Sequence, residues 1–332
     1  MHLVTLWFVL IAVLWIGYFV LEGFDFGVGI LLPVLGRDPD DRRAMLASIG
    51  PIWDGNEVWL LVAGGATFAA FPNWYATLFS GFYLALLVIL VALILRAVAL
   101  EYRNKSDDAQ WRRRWDVVIT TGSVIPALLW GVAFANIVRG VPINASQEFT
   151  GTFLTLLNPY ALLGGLVTLS LFTLHGAVFL SLKTDGDVRA ASRRVATRVG
   201  VAAVALAAGF LIWTQASYGR GATDITAAVA AVCLVGSLLA NLRRREGWAF
   251  VATAATIMLA VVTLFGDLWP NVMPSSTSSA FNLTVHNASS SPYTLGVMTW
   301  VALLATPVVL IYQGWTYWVF RKRITGRVAT AP

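Results

Sequence analysis

Gly50-Pro51-Ile52-Trp53-Asp54-Gly55-Asn56-Glu57-Val58-Trp59 is a polar stretch set in apolar surroundings. Met45, Leu46, Ala47 and Ile49 lead into it, and Leu60-Leu61-Val62-Ala63 follows. It reads as part of a membrane-spanning helix that begins before Pro51 and is kinked there. Two carboxylates are thereby carried into the span. On insertion scales such groups cost about 2.5–3.5 kcal/mol each near a helix centre, so a retained intramembrane acid points to function. The plain alternative is a helix start at Pro51, which leaves Asp54 and Glu57 in the first two turns, where the helix dipole favours negative charge.

A second stretch matches the first. Leu21-Glu22-Gly23-Phe24-Asp25-Phe26-Gly27-Val28-Gly29 carries Glu22 and Asp25 late in the first apolar segment, again three residues apart. A charged turn, 37–43, lies between the two stretches. If that turn joins antiparallel helices, Asp25 stands opposite Asp54 and Glu22 opposite Glu57, each pair on one helix face. The four acids then cluster roughly 12–20 Å from the turn, at about 1.5 Å of rise per residue. Crowded, desolvated carboxylates cannot all ionise together, which is the chemistry of a proton relay. The competing reading pairs Asp25 with Arg96, which lies within the third apolar segment.

Over 332 residues the chain is 58% hydrophobic and 12% charged, a balance that excludes a soluble domain and implies an all-α integral membrane protein. Nine apolar runs are long enough to span about 30 Å: 3–32, 45–71, 74–100, 117–138, 160–182, 195–217, 223–242, 248–268 and 294–320. Twenty of the 23 basic residues fall in alternate connections, including Arg42, Arg103, Arg189, Arg244 and the C-terminal Arg321, Lys322, Arg323 and Arg327. By the positive-inside rule, the N-terminus is outside and the C-terminus cytoplasmic. The acid cluster then lies on the cytoplasmic side of the midplane. No basic leader or small-residue cleavage site precedes the first segment, which reads as a retained helix.

The remaining chemistry-bearing residues are few. Cys233 is the sole cysteine, and the three histidines include no i, i+4 pair, so no metal site is expected. His175 is the only histidine within a span; it reads as a hydrogen-bonding bridge between helices, with Gly176 permitting close approach. As a haem ligand it would need a second ligand or an open haem face. Most of the fourteen tryptophans read as an interfacial belt, with Trp53, beside Asp54, as the exception. Gly64-Gly65 and Gly164-Gly165 precede no Lys-Ser/Thr and signal close helix packing. The arginine clusters read as topology signals and lipid contacts, not as a nucleic-acid surface.

The motifs Gly23-Phe24-Asp25-Phe26-Gly27-Val28-Gly29, Trp53-Asp54-Gly55-Asn56-Glu57-Val58-Trp59, Phe79-Ser80-Gly81-Phe82-Tyr83, Gly131-Val132-Ala133-Phe134, Leu174-His175-Gly176-Ala177, Val272-Met273-Pro274-Ser275-Ser276-Thr277 and Val297-Met298-Thr299-Trp300 run in order along the chain. With this ordered set the chain resembles subunit II of the cytochrome bd-type quinol oxidases. One departure is Ala135-Asn136, where the family pattern carries Gly-Asn; Asn136 is kept. The resemblance implies a prokaryotic plasma-membrane complex that oxidises quinol and reduces dioxygen to water. The b and d haems would belong to the partner, subunit I, and this chain would bind none. It implies a single polytopic domain, 1–332, built of two four-helix bundles (about 1–140 and 158–268) and a peripheral ninth helix (294–320). It further implies that this chain stabilises subunit I and carries cytoplasmic protons through Trp53 and Asp54, with Asp25 nearby. A structural quinone and small single-helix accessory subunits are known features of some members. Two other classes fit the residues alone: a proton-coupled secondary transporter, and a passive scaffold in which the acids are structurally paired.

Overall fold

Side-chain caps and prolines set many of the helix limits. In the computed structural model, which describes residues 2–324, helix α1 (His2–Leu35) ends at the charged turn and α2 (Pro39–Ile49) starts there. Asp38 caps α2 by accepting from the backbone N–H groups of Asp40 and Asp41 at 2.9 and 2.8 Å, with Pro39 in the first helical position. The chain continues through α3 (Trp53–Ala70), α4 (Pro72–Gly81), α5 (Tyr83–Tyr102), α6 (Ala109–Arg139), α7 (Pro159–Lys183), α8 (Gly186–Ser217), α9 (Asp224–Leu242), α10 (Glu246–Leu268) and α11 (Pro292–Val319). Asp108, Asn158 and Ser291 cap α6, α7 and α11 in the same way as Asp38.

Eight of these helices are long and apolar enough to cross a membrane: α1 and α5 to α11. The architecture is that of an all-α membrane protein. Where the sequence suggests one kinked second span, the structure has two helices, α2 and α3, separated by the non-helical Gly50, Pro51 and Ile52. The Gly50 N–H still reaches the Leu46 carbonyl, but Pro51 has no N–H to offer the next one, and the ladder stops. The expected third segment is also divided, at Phe82, between α4 and α5. Gly81 sits at that joint against the Phe149 ring, which a Cβ would meet at 2.7 Å.

Helices α1 and α7 form the central seam. A Cβ on Gly27 would lie 2.1 Å from the Phe172 carbonyl oxygen and 2.7 Å from the Gly176 Cα, so the two backbones meet through glycines. Around this seam α1 packs on α3, α6 and α10, and α7 packs on α6, α8 and α10. Trp15, Tyr18, Phe19, Trp130 and Phe134 interlock beside it with mostly edge-on rings. Helix α11 stays at the margin; Leu295 is its one buried residue.

Ion pairs close the end of the bundle that carries the basic connections. Asp116 is shared by Arg42 at 2.8 Å and Arg103 at 2.5 Å, tying α2 to the α5–α6 turn. Glu246 is shared by Arg189 and Arg193, tying α8 to α10. Lys183 donates to the carbonyls of Phe320 and Lys322 and so fastens the end of α11. Arg327, counted in the C-terminal basic cluster, lies outside the described residues. At the opposite end a small hairpin, β1 (Asn271–Met273) and β2 (Leu283–Thr284), lies in the long connection between the apolar runs 248–268 and 294–320. The segment after β2 is pinned to the α3–α4 joint through Ser290, whose N–H reaches the Ala70 carbonyl at 2.9 Å.

Candidate functional site

The break at 50–52 decides which face of α3 turns inward. Successive residues of a helix are about 100° apart, so positions 54 and 56 point to nearly opposite sides. Asn56 is the buried one and Asp54 the exposed one. Asn56 Nδ2 donates to Asp25 Oδ2 at 2.7 Å and lies 3.4 Å from the Leu21 carbonyl. The antiparallel depth expected from the charged turn is thus kept, with position 56 level with 21–25. The rotation is not the one expected: Asp54 does not face Asp25. Its carboxylate instead accepts from the neighbouring Gly55 N–H at 2.7 Å. Trp53, at the first position of α3, is half-buried.

Glu22, Asp25 and Arg96 are fully buried. Arg96 Nη1 donates to Glu22 Oε1 and lies 3.5 Å from Glu57 Oε1. The partner of Arg96 is therefore Glu22, flanked by Glu57, and not Asp25. The guanidinium also rests over the Phe26 ring, 5.0 Å from its centroid. Glu22 from α1 and Glu57 from α3 thus converge on one guanidinium from α5, with Asp25 buried one turn from Glu22 on α1. Among the described residues, Glu22 Oε2, Asp25 Oδ1, Glu57 Oε1 and the Arg96 Nε and Nη2 groups are buried without a hydrogen-bond partner. Polar groups left without partners in an apolar bundle are costly.

Two contributors were missed by the sequence reading because they come from the last helix. Tyr317 donates its hydroxyl to Asn56 Oδ1 at 2.8 Å, and Gln313 lies 3.4 Å from the same oxygen. The legible signal was a lone glutamine in an apolar run with a tyrosine four residues on, one helical turn apart on one face.

His175 and Asn136 stand elsewhere. His175 Nε2 donates to the Val20 carbonyl at 3.1 Å, and Nδ1 lies 2.6 Å from Thr253 Oγ1. Its ring stacks on Phe250, 4.7 Å between centroids. Helices α1, α7 and α10 are joined there, and neither ring nitrogen is free to ligate a metal. Among the described residues no group of three His, Cys, Asp or Glu could hold a metal ion. Asn136 donates to the carbonyls of Val132 and Leu156 at 2.8 and 2.7 Å and accepts from Asn158 at 2.8 Å. An apolar cavity lies between α1 and α6 to α10, beside Phe19, Trp130, Phe134, Phe172 and Phe210. Its two hydroxyls, Thr168 and Thr256, already donate to the Ala127 and Ala252 carbonyls, so neither is free to hold a quinone carbonyl.

Comparison with known proteins adds the family. A family model described as cytochrome bd terminal oxidase subunit II matches residues 3–320. The Bacillus subtilis protein named cytochrome bd ubiquinol oxidase subunit 2 is 44% identical over 327 residues, covering 97% of each chain. The Escherichia coli K12 protein named cytochrome bd-I ubiquinol oxidase subunit 2 is 40% identical over 358 residues, covering 96% of this chain and 94% of that one. A chain in the structure of the bd oxidase from Geobacillus thermodenitrificans has the same fold, with a TM-score of 0.78 at 14% identity, over 96% of this chain and 97% of that one. The chain therefore belongs to the cytochrome bd terminal oxidase subunit II family, as a multi-pass plasma-membrane subunit of a terminal oxidase.

Proposed function

We propose that this chain is the non-haem partner of a haem-bearing subunit I in a quinol:dioxygen oxidase, and that it supplies part of a cytoplasmic proton route for the reduction of dioxygen to water. The route begins at Asp54, with Trp53 beside it, and passes through the buried group of Asp25, Glu57 and Glu22. The observation that carries this reading is the burial of Asp25 beside Glu22 and Glu57, which converge on Arg96, with unpartnered polar atoms left over. A relay must be able to hold one proton more or less without rebuilding its surroundings, and surplus acceptors beside a fixed cation meet that need.

In the same reading the chain crosses the membrane nine times, with α3 as the short additional passage, the N-terminus outside and the C-terminus in the cytoplasm. Helices α1–α6 and α7–α10 make the two bundles, and α11 lies peripheral to both. Exposed apolar side chains along α3, α5 and α11, among them Leu61, Ile94 and Ile311, give this chain surface with which to stabilise subunit I. Asp54→Asn tests the route. An amide keeps the shape of the side chain but cannot exchange a proton. In the assembled oxidase it should slow quinol-driven oxygen consumption about tenfold, about 1.4 kcal/mol in barrier, with haem content preserved. Turnover at the parent rate across the neutral pH range would refute the assignment.

A further inference from the structure

Among the described residues, a directed hydrogen-bond chain runs from the margin of the bundle to the buried acid. It starts at Trp59, whose indole Nε1 donates to Gln313 Oε1 at 2.9 Å. An indole N–H can only donate, so this contact fixes which end of the Gln313 amide is oxygen. Gln313 Nε2 is then left facing Asn56 Oδ1, at 3.4 Å, and the Tyr317 hydroxyl donates to that same oxygen at 2.8 Å. On its other side the Asn56 NH2 faces the Leu21 carbonyl at 3.4 Å, a group that can only accept, and Asp25 Oδ2 at 2.7 Å. A donor-only group at one end and an acceptor-only group at the other leave a single orientation for both amides.

We propose that Gln313 and Tyr317 of α11 are positioning residues that hold the Asn56 amide with its NH2 toward Asp25, so that Asp25 Oδ2 is kept as an acceptor and the proton is exchanged at Asp25 Oδ1. Asp25 Oδ1 is the carboxylate oxygen without a partner among the described residues. The inference deepens the proton-route reading and rests on it. Charged groups around Asp25 come from three elements: Glu22 on its own helix α1, Glu57 on α3 and Arg96 on α5. Glu22 also lies against the Asp25 carboxyl; Asn56 is the amide that holds Oδ2 and so distinguishes the two oxygens. Helix α11 is suited to this task because it is otherwise little buried, and its polar contacts with α3 are concentrated at Gln313 and Tyr317.

The test uses the assembled oxidase with its partner subunit. Infrared difference spectroscopy resolves the carboxyl band of Asp25, assigned by its loss in Asp25→Asn. In a Gln313→Leu/Tyr317→Phe double variant the Asn56 amide can turn, and the Asp25 band should move in frequency. Turnover per haem should fall about fivefold, the worth of roughly one hydrogen bond. An assembled double variant with the band unmoved overturns the proposal. If the double variant does not assemble, Tyr317→Phe alone, which deletes one hydroxyl, decides: a smaller shift in the same direction supports the clamp, and an unmoved band refutes it. Turnover at the parent rate in Asp25→Asn would instead sink the route reading, while the band shift still reports on the clamp.

Discussion

The acid junction of α1, α3 and α5 and the His175 junction of α1, α7 and α10 both bury polar side chains among apolar helices, yet they are satisfied to different degrees. At His175 each ring nitrogen has one partner, and the ring is stacked on Phe250. At Asn136, earlier in the chain on α6, both amide ends are engaged. The acid junction instead sets Glu22 and Glu57 against one arginine, buries Asp25 beside them and leaves polar atoms over. A saturated network is rigid and holds helices in register. An unsaturated one carries a standing electrostatic cost. The difference separates the polar groups that build this protein from those proposed to work in it.

The largest effect that would sharpen this contrast is expected from Arg96→Leu. Removing the guanidinium leaves Glu22 and Glu57 facing each other without a cation, a loss of about 3–5 kcal/mol for a buried pair. Thermal unfolding and yield of the purified complex should both fall steeply. A variant as stable as the parent would mean that the acids are already neutral, and the contrast would lose its electrostatic basis.

His175→Phe keeps the stacking on Phe250 but removes both hydrogen bonds, for about 1–3 kcal/mol of stability. Oxygen consumption per assembled haem should stay at the parent value. Loss of turnover in a well-assembled His175→Phe complex would break the comparison, because the histidine would then belong to the chemistry. Asn158→Ala sets the lower end of the scale. It removes the cap of α7 and one contact to Asn136, and should lower stability by about 1 kcal/mol with no change in turnover.

Much of the site was legible in the residues. Glu22, Asp25 and Glu57 stand out as acids in apolar runs, and Arg96 as a cation in the third of those runs; the turn at 37–43 places the two acidic stretches at one depth. What the pattern does not carry is rotation about the helix axis. A spacing of three puts Asp54 and Glu57 on one face, but the break at Gly50–Ile52 frees α3 to choose which face turns inward. It turns Asn56 in and Asp54 out. The partner of Arg96 was misjudged for a related reason: Glu22 and Asp25 are a turn apart on α1, and only the packing of α5 decides between them.

By itself, the amino-acid sequence determined that this is an all-α membrane protein, that its basic residues fall in alternate connections, and that acids gather in its first two apolar segments. These follow from hydropathy, charge and helical spacing, which are local quantities summed along the chain. Only the tertiary structure decided that α11 returns to the acid junction, bringing Gln313 and Tyr317 to Asn56 from more than 250 positions away. Only the tertiary structure decided, too, that α1 and α7 meet backbone to backbone at Gly27 and Gly176. Lipid tails are as apolar as leucine, so hydrophobicity does not choose among helix partners in a membrane. Close packing and the pairing of polar groups make that choice, and both depend on residues far apart in the chain.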